Sequence, residues 1–215
     1  MTGPDKSSGR IGYAMLANGA PFSVAVLQAL REQGLPPRVL VLPEYAPARQ
    51  SPADIHGVAP TSSLLQLASN IELVYVPRQR QAQGAEKLRQ RGIDYLLVAC
   101  WPYLIGEELR LSARVAALNL HPSLLPKYAG ANPLERQIAS RDTRGGITLH
   151  LLDDKFDHGD IVAQAEIGVA GNELERDSLE SRCAIRGAEM FIAAVNAGRD
   201  AWQLRAQMDQ AFDTD

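Results

Sequence analysis

Residues 95–121 read YLLVACWPYLIGEELRLSARVAALNLH. Residues 95–99 are apolar without interruption, 116–120 are apolar but for Asn119, and the segment between them carries charge, a proline and a glycine. A strand buried on both faces reads as such a continuous apolar run, whereas a strand with one solvated face alternates. A helix over 106–112 separates the two, so the stretch predicts two parallel strands joined through a helix. Both strands end in residues that a buried sheet does not need. Cys-Trp-Pro-Tyr follows the first at 100–103, and Asn119 and His121 close the second. Open parallel sheets bind ligands outside the carboxyl ends of their strands, so this stretch also predicts where a site would lie.

The same alternation continues outward. A buried strand is expected over 11–16, then the turn at 17–21 and an apolar helix over 22–33, stopped by Gly34 and the pair Pro36-Pro37. A second buried strand covers 39–42, and the proline-scattered segment 43–60 reads as a loop longer than packing requires. A helix near 61–69, a strand over 72–76 and a solvated helix over 79–91 lead back to residue 95. After residue 121 the pattern changes. Residues 146–152 alternate, residues 161–169 form a second strand, and the two read as a hairpin or an antiparallel addition to the sheet edge. A long helix over 176–196 is closed by Gly198, and 200–215 reads as a short terminal helix with an acidic end. No repeat or low-complexity linker divides the chain. The expectation is a leader over 1–9, one domain over 10–198 and an extension over 199–215. The fold class is α/β: an open, mostly parallel twisted sheet with helices on both faces and an antiparallel edge pair in the last third.

The chain has 215 residues, 22 Lys+Arg against 25 Asp+Glu, and a formal net charge of −3. The charges are spread along it, which argues against a dedicated electrostatic nucleic-acid binder. Cys100 and Cys183 lie far apart and form no paired motif, which fits a reducing compartment better than a disulfide framework. The polar N-terminus has no apolar core of a signal peptide, and no apolar run approaches the ~20 residues of a membrane span. A soluble, cytoplasmic protein is expected.

The candidate chemistry sits at strand ends. Besides Asn119, His121 and the turn at 100–103, the loop HPSLLPKYAGANP covers 121–133, and DDKFDHGD packs four aspartates and a histidine into 153–160. Each feature alone has a plain structural reading: Asn119 as a strand cap, Asp157 as a turn aspartate, a histidine as a packed side chain. Trp101 and Tyr103 serve equally as core aromatics or as walls for a flat ligand. An assembly of all of them at one sheet edge is what a generic polar rim does not produce. A metal reading would draw on His121, His150, His158 and the aspartates of 153–160. Their spacing matches no compact zinc pattern, so no metal is expected. Neither a nucleophile elbow nor a phosphate-binding loop motif is present.

The stretches LNLHPSLLPKYAGANPLERQI at 118–138 and GGITLHLLDDKFDHGDIVAQ at 145–164 resemble the catalytic half of the 10-formyltetrahydrofolate-dependent formyltransferase family. That family includes enzymes acting on methionyl-tRNA, on glycinamide ribonucleotide and on sugar nucleotides. The resemblance extends over about 10–197 and is strongest over 95–165. It implies a Rossmann-like fold and a formyltransferase activity with 10-formyltetrahydrofolate as donor. It places the catalytic trio at Asn119, His121 and Asp157, with His150 in support. It places folate contacts at Cys100, Trp101, Pro102, Tyr103 and Leu104, at Ser123, Leu124, Leu125 and Pro126, and at Asp153 and Asp154. Departures concern the acceptor. The first turn reads ANGAPF, Ala129 stands where an arginine is common, Trp101 and Pro102 occupy the pterin turn, and the sequence ends where tRNA-directed members continue into a β-barrel domain.

The resemblance therefore implies direct attack of a primary amine of a small-molecule acceptor on the formyl carbon. Asn119 and a protonated His121 would donate to the developing oxyanion, and Asp157 would hold His121. A tRNA acceptor is disfavoured by the charge and by the missing second domain. The alternatives are a hydrolase that passes the same group to water, and a folate-binding relative without turnover.

Overall fold

The computed structural model describes residues 11–44, 62–168 and 176–207. The expected leader at 1–9, most of the expected loop at 43–60 and the acidic end of the extension lie outside these residues. The strands are β1 (Tyr13–Ala17), β2 (Val39–Glu44), β3 (Glu72–Pro77), β4 (Tyr95–Ala99), β5 (Ala116–His121), β6 (Arg144–Leu151) and β7 (Ile161–Gly168). The α-helices are α1 (Pro21–Glu32), α2 (Ser62–Leu67), α3 (Gln81–Gln90), α4 (Glu107–Arg110), α5 (Pro133–Ala139) and α6 (Arg176–Ala197).

The seven strands form one sheet in the order β3-β2-β1-β4-β5-β6-β7. The first five are parallel. β6 runs antiparallel to β5, and β7 antiparallel to β6. The expected edge pair is thus present and is joined directly to β5. Successive side chains on a strand point to opposite faces, and the core divides accordingly. Tyr13, Met15, Leu40, Leu97, Leu118 and Leu120 pack with α1 and α6 on one face. Ala14, Leu16, Val41, Leu96 and Val98 pack with α3 and α4 on the other. Burial on both faces is why β1 and β4 read as unbroken apolar runs.

Several expected boundaries are corrected. β2 continues through Pro43, which pairs with Val76, to Glu44. A 3₁₀ turn at Arg78–Arg80 precedes α3, and α4 is four residues long. α5 lies inside what reads as loop and strand approach; its seven residues are too few for a periodic signal, and one of its two buried side chains is Gln137. The terminal helix is not formed over the described part of 200–207. A 3₁₀ turn at Arg199–Ala201 is followed by extended chain, and Arg205 makes an isolated antiparallel bridge to Ile161. The Trp202 indole donates to the Ala194 carbonyl at 2.9 Å and so turns the chain back along α6. Among the described residues no helix is long and apolar enough to cross a membrane.

Candidate active site

Strand order reverses at β1, with β2 on one side of it and β4 on the other, and ligands bind outside the carboxyl ends at such a switch point. A cavity of about 530 Å³ opens there. Asn18 borders it after β1, the turn 100–105 after β4, Asn119 and His121 at the end of β5, and Leu152, Asp153, Phe156 and Asp157 after β6. Its far side is formed by Phe22 at the start of α1, by residues of the α5 N-terminus and by Arg176.

Asn119 and His121 are two residues apart on one strand and therefore project from one face. The antiparallel register of β6 then sets His150 opposite Asn119 and Thr148 opposite His121. Asp157 arrives from the β6–β7 loop. Its Oδ1 accepts from the Asn119 amide at 3.1 Å, and its Oδ2 accepts from the Gly130 backbone N–H at 2.9 Å. The same Oδ2 lies 3.3 Å from His121 Nδ1. Burial pushes the Asp157 carboxyl up, but the charge and hydrogen bond of His121, with a further contribution from His150, hold it far below the usual carboxylate range.

The hydrogen-bond partners assign the protons. His121 Nε2 lies 2.9 Å from the Tyr128 carbonyl, which only accepts, while Nδ1 faces the Asp157 carboxylate. The imidazolium form carries an N–H for each of these two acceptors. His150 Nδ1 lies 2.8 Å from the Leu151 carbonyl and must donate there. Its Nε2 lies 3.0 Å from the Asn119 amide nitrogen, from which a neutral ring accepts, and 3.6 Å from Asp157 Oδ1, toward which a charged ring donates. With His150 neutral, both hydrogens of the Asn119 amide are engaged within the protein, and both ring nitrogens of His121 face protein acceptors.

The other residues singled out in the sequence divide into two groups. The turn Cys100, Trp101, Pro102, Tyr103 and Leu104 lines the cavity, as does Asp153. Cys100 adopts a left-handed backbone (φ 61°), and burial pushes its thiol up to about 12, so it contributes wall rather than nucleophile. Trp101 meets Tyr103 edge-on at 5.2 Å, and the Tyr103 hydroxyl donates to the Val76 carbonyl at 2.9 Å. Gln81 braces the turn by donating to the Leu104 carbonyl and accepting from the Gly106 N–H. Asp154, Ser123, Leu124, Leu125 and Pro126 do not border the cavity. The segment from 123 to 126 is a structural pin behind it. Thr148 donates to the Ser123 carbonyl, Ser123 donates to the Lys127 carbonyl, and Gln164 donates to the Leu125 carbonyl. Leu124 sits where a Cβ on Gly146 would lie 2.3 Å from its side chain, so that glycine makes room for it.

Three contributors escaped the sequence reading: the Tyr128 carbonyl, the Gly130 N–H and the cavity wall at Phe22 and Arg176. The first two are main-chain groups, for which side-chain identity carries no signal. Their loop does announce itself by conformation, since Tyr128, Gly130 and Asn132 all have positive φ. Among the described residues no group of three or more His, Cys, Asp or Glu is arranged to hold a metal ion. Gly159 is a further requirement, because a Cβ there would lie 2.0 Å from the Leu151 carbonyl oxygen. Gly159→Ala is expected to lower stability by about 3 kcal/mol, at the upper end of overpacking costs, and to displace Asp157; thermal denaturation and turnover measured together check this.

A cavity at the reversal of strand order, with a carboxylate–imidazole pair at its base, is the site of an α/β enzyme. Residues 14–195 match the formyl transferase family, and the chain belongs to that family. It is 31% identical over 184 residues to the methionyl-tRNA formyltransferase of Burkholderia vietnamiensis, an alignment covering 82% of this chain and 56% of that one. The chain spans little more than half the length of the curated relatives it matches. Among solved structures it resembles glycinamide ribonucleotide transformylase 1 from Symbiobacterium toebii, with a TM-score of 0.69 and 20% identity over 94% of this chain and 96% of that one. A sugar 3N-formyl transferase solved with dTDP and 5-N-formyl-THF gives a TM-score of 0.58 at 18% identity, covering 94% and 68%. At these identities the structural likenesses concern the fold.

Proposed function

We propose that the protein transfers a formyl group from 10-formyltetrahydrofolate to a primary amine of a small-molecule acceptor. The observation that carries this reading is the ionised Asp157 held 3.3 Å from His121, with Asn119 beside it, at the base of the cavity. Family membership supplies the reaction class. The cavity fits the donor by size and lining. Its volume falls within the roughly 300–1,000 Å³ of small-molecule sites, and Trp101, Pro102, Ile105 and Leu152 give it an apolar wall for a flat ring. The buried Trp101 indole N–H has no hydrogen-bond partner among the described residues.

The donor supplies the one-carbon unit as an amide on its N10, and transfer to an amine builds negative charge on the formyl oxygen while releasing one proton. His121, charged and buried, offers N–H donation to that oxygen and takes part in moving the amine's proton to the departing nitrogen. Asn119 adds a second donor from the same strand face. Asp157 keeps the ring charged and oriented. Each donor keeps one hydrogen bond by exchanging a protein acceptor for the substrate oxygen, while the displaced acceptor gives up its partner.

The test mixes the protein with 10-formyltetrahydrofolate and follows free folate, without acceptor and then with amino-sugar nucleotides, glycinamide-type amines and methionyl-tRNA. Tight donor binding with slow release, accelerated by a small amine, is expected. Saturating donor analogue should raise the melting temperature in proportion to RT ln(1 + [L]/Kd). Rapid release without acceptor identifies a hydrolase. Acceleration by the tRNA alone overturns the small-molecule acceptor, and absence of donor binding overturns the whole reading.

A further inference from the structure

We propose that Gln207 is a positioning residue that holds Asp157 in its working conformation from the far side of the loop. The inference rests on the role given to Asp157 above, and it concerns how that role is maintained. Asp157 has φ 53°, a left-handed conformation that a residue with a Cβ adopts rarely and keeps only where its surroundings over-determine it. Its carboxylate is held from the cavity side by Asn119, Gly130 and His121. Its main chain is held from the opposite side. Gln207 Nε2 donates to the Asp157 carbonyl at 3.0 Å and to the Gly159 carbonyl at 2.8 Å. Both partners only accept, so the amide has one possible orientation; turned over, its own oxygen would face two carbonyls.

Gln207 is itself fixed by the chain that leads to it. The Trp202 indole is bonded to Ala194 on α6, and its ring lies 6.3 Å from Tyr95. Arg205 exchanges two backbone hydrogen bonds with Ile161, donating at 3.0 Å and accepting at 2.8 Å, immediately after the Asp157 loop. Its guanidinium also donates to Gln164 Oε1 at 2.7 Å. A strap over 202–207 thus runs from α6 across the β7 edge and ends on the two carbonyls that flank His158. Removing its last contact takes this hold from the main chain of Asp157 without deleting any side chain of the cavity or the sheet core.

The experiment compares wild type with Gln207→Met, which keeps the length and loses both donors, and Gln207→Glu, which places an oxygen against the two carbonyls. Turnover is read as kcat and KM separately between pH 5 and 8, alongside the melting temperature and hydrogen exchange of the peptide containing residues 156–160. A misplacement of the reacting groups is the expected defect, so kcat should fall about 10-fold or more, with the KM for formyl-folate within about twofold. Exchange in that peptide should rise while the rest of the protein exchanges as before. The ratio of Gln207→Glu to wild type should climb as pH falls, because a protonated carboxyl regains one donor, whereas the Gln207→Met ratio should stay flat. Wild-type kcat and wild-type exchange in both variants would overturn the proposal. So would a general rise in exchange with a large fall in melting temperature, which would make the strap a plain structural element. If wild type transfers no formyl group, the functional reading fails, yet the exchange arm still decides whether Gln207 holds the loop.

Discussion

Replacing Asp157 with alanine is expected to lower turnover by at least ~10²-fold, the scale for losing a general acid/base partner or a main electrostatic contributor, with the fold retained. The Asp157 carboxylate is the common acceptor of the site: Asn119, the Gly130 N–H and His121 all converge on it. Its loss leaves the Asn119 amide, the Gly130 N–H and His121 Nδ1 without this acceptor and removes the anion that favours a protonated His121. His121→Ala should reach the same range by deleting the charged donor itself and by leaving the Tyr128 carbonyl without its partner. Circular dichroism and thermal denaturation of each variant separate a chemical defect from a folding one. Because the Asp157 carboxyl is held below its ordinary range, it stabilises the folded state above that ordinary range, and the contribution is lost as pH falls through the depressed value. The stability deficit of Asp157→Ala should accordingly shrink toward strongly acidic pH. Near-wild-type turnover in either variant would remove the mechanism.

Asn119→Asp should be more damaging than Asn119→Ala. Alanine deletes a donor. Aspartate has nearly the same shape but sets a carboxylate where the amide now lies 3.1 Å from Asp157 Oδ1. Two carboxylates that close do not both ionise, so one takes up a proton and the pairing of Asp157 with His121 is weakened. The new charge also faces the position where oxyanion charge develops, which is repulsive in a water-poor site. A further ~10-fold loss relative to alanine is expected from roughly one carboxylate pKa unit of such repulsion, and residual activity should shift along the pH axis. An Asn119→Asp enzyme more active than the alanine variant would show that the amide is not a donor in the reaction.

Much of this architecture is legible in the linear sequence because burial writes directly into composition. β1 and β4 are covered by helices on both faces, so neither keeps a polar position, and their unbroken apolar runs announce a parallel sheet. β6 alternates although both its faces are buried, because Ile147 and Leu149 join the core while Thr148 and His150 face His121 and Asn119 across the register. Asn119 and His121 stand out because a polar residue at the end of an apolar strand has no packing purpose, whereas Asp157 is marked only by the resemblance to the formyltransferase family. The failures have an equally physical origin. α5 is too short for its period to register, and the terminal segment turns away from helix because Trp202 bonds back to Ala194 and Arg205 pairs with Ile161, far along the chain.

What the amino-acid order determined by itself, then, is the sheet, its two kinds of strand and the edge on which polar chemistry gathers. Only the tertiary structure decided how Asn119, His121 and Asp157 share their protons. Antiparallel pairing of β6 sets His150 against Asn119, the loop of positive-φ residues brings the Tyr128 carbonyl and the Gly130 N–H onto His121 and Asp157, and Gln207 reaches back across 50 positions to the Asp157 carbonyl. The same packing withdraws the segment from 123 to 126 from the cavity and seats Leu124 over Gly146. Main-chain donors and acceptors are the same at every residue, so their placement leaves no mark in the sequence; it emerges when distant segments close upon one another.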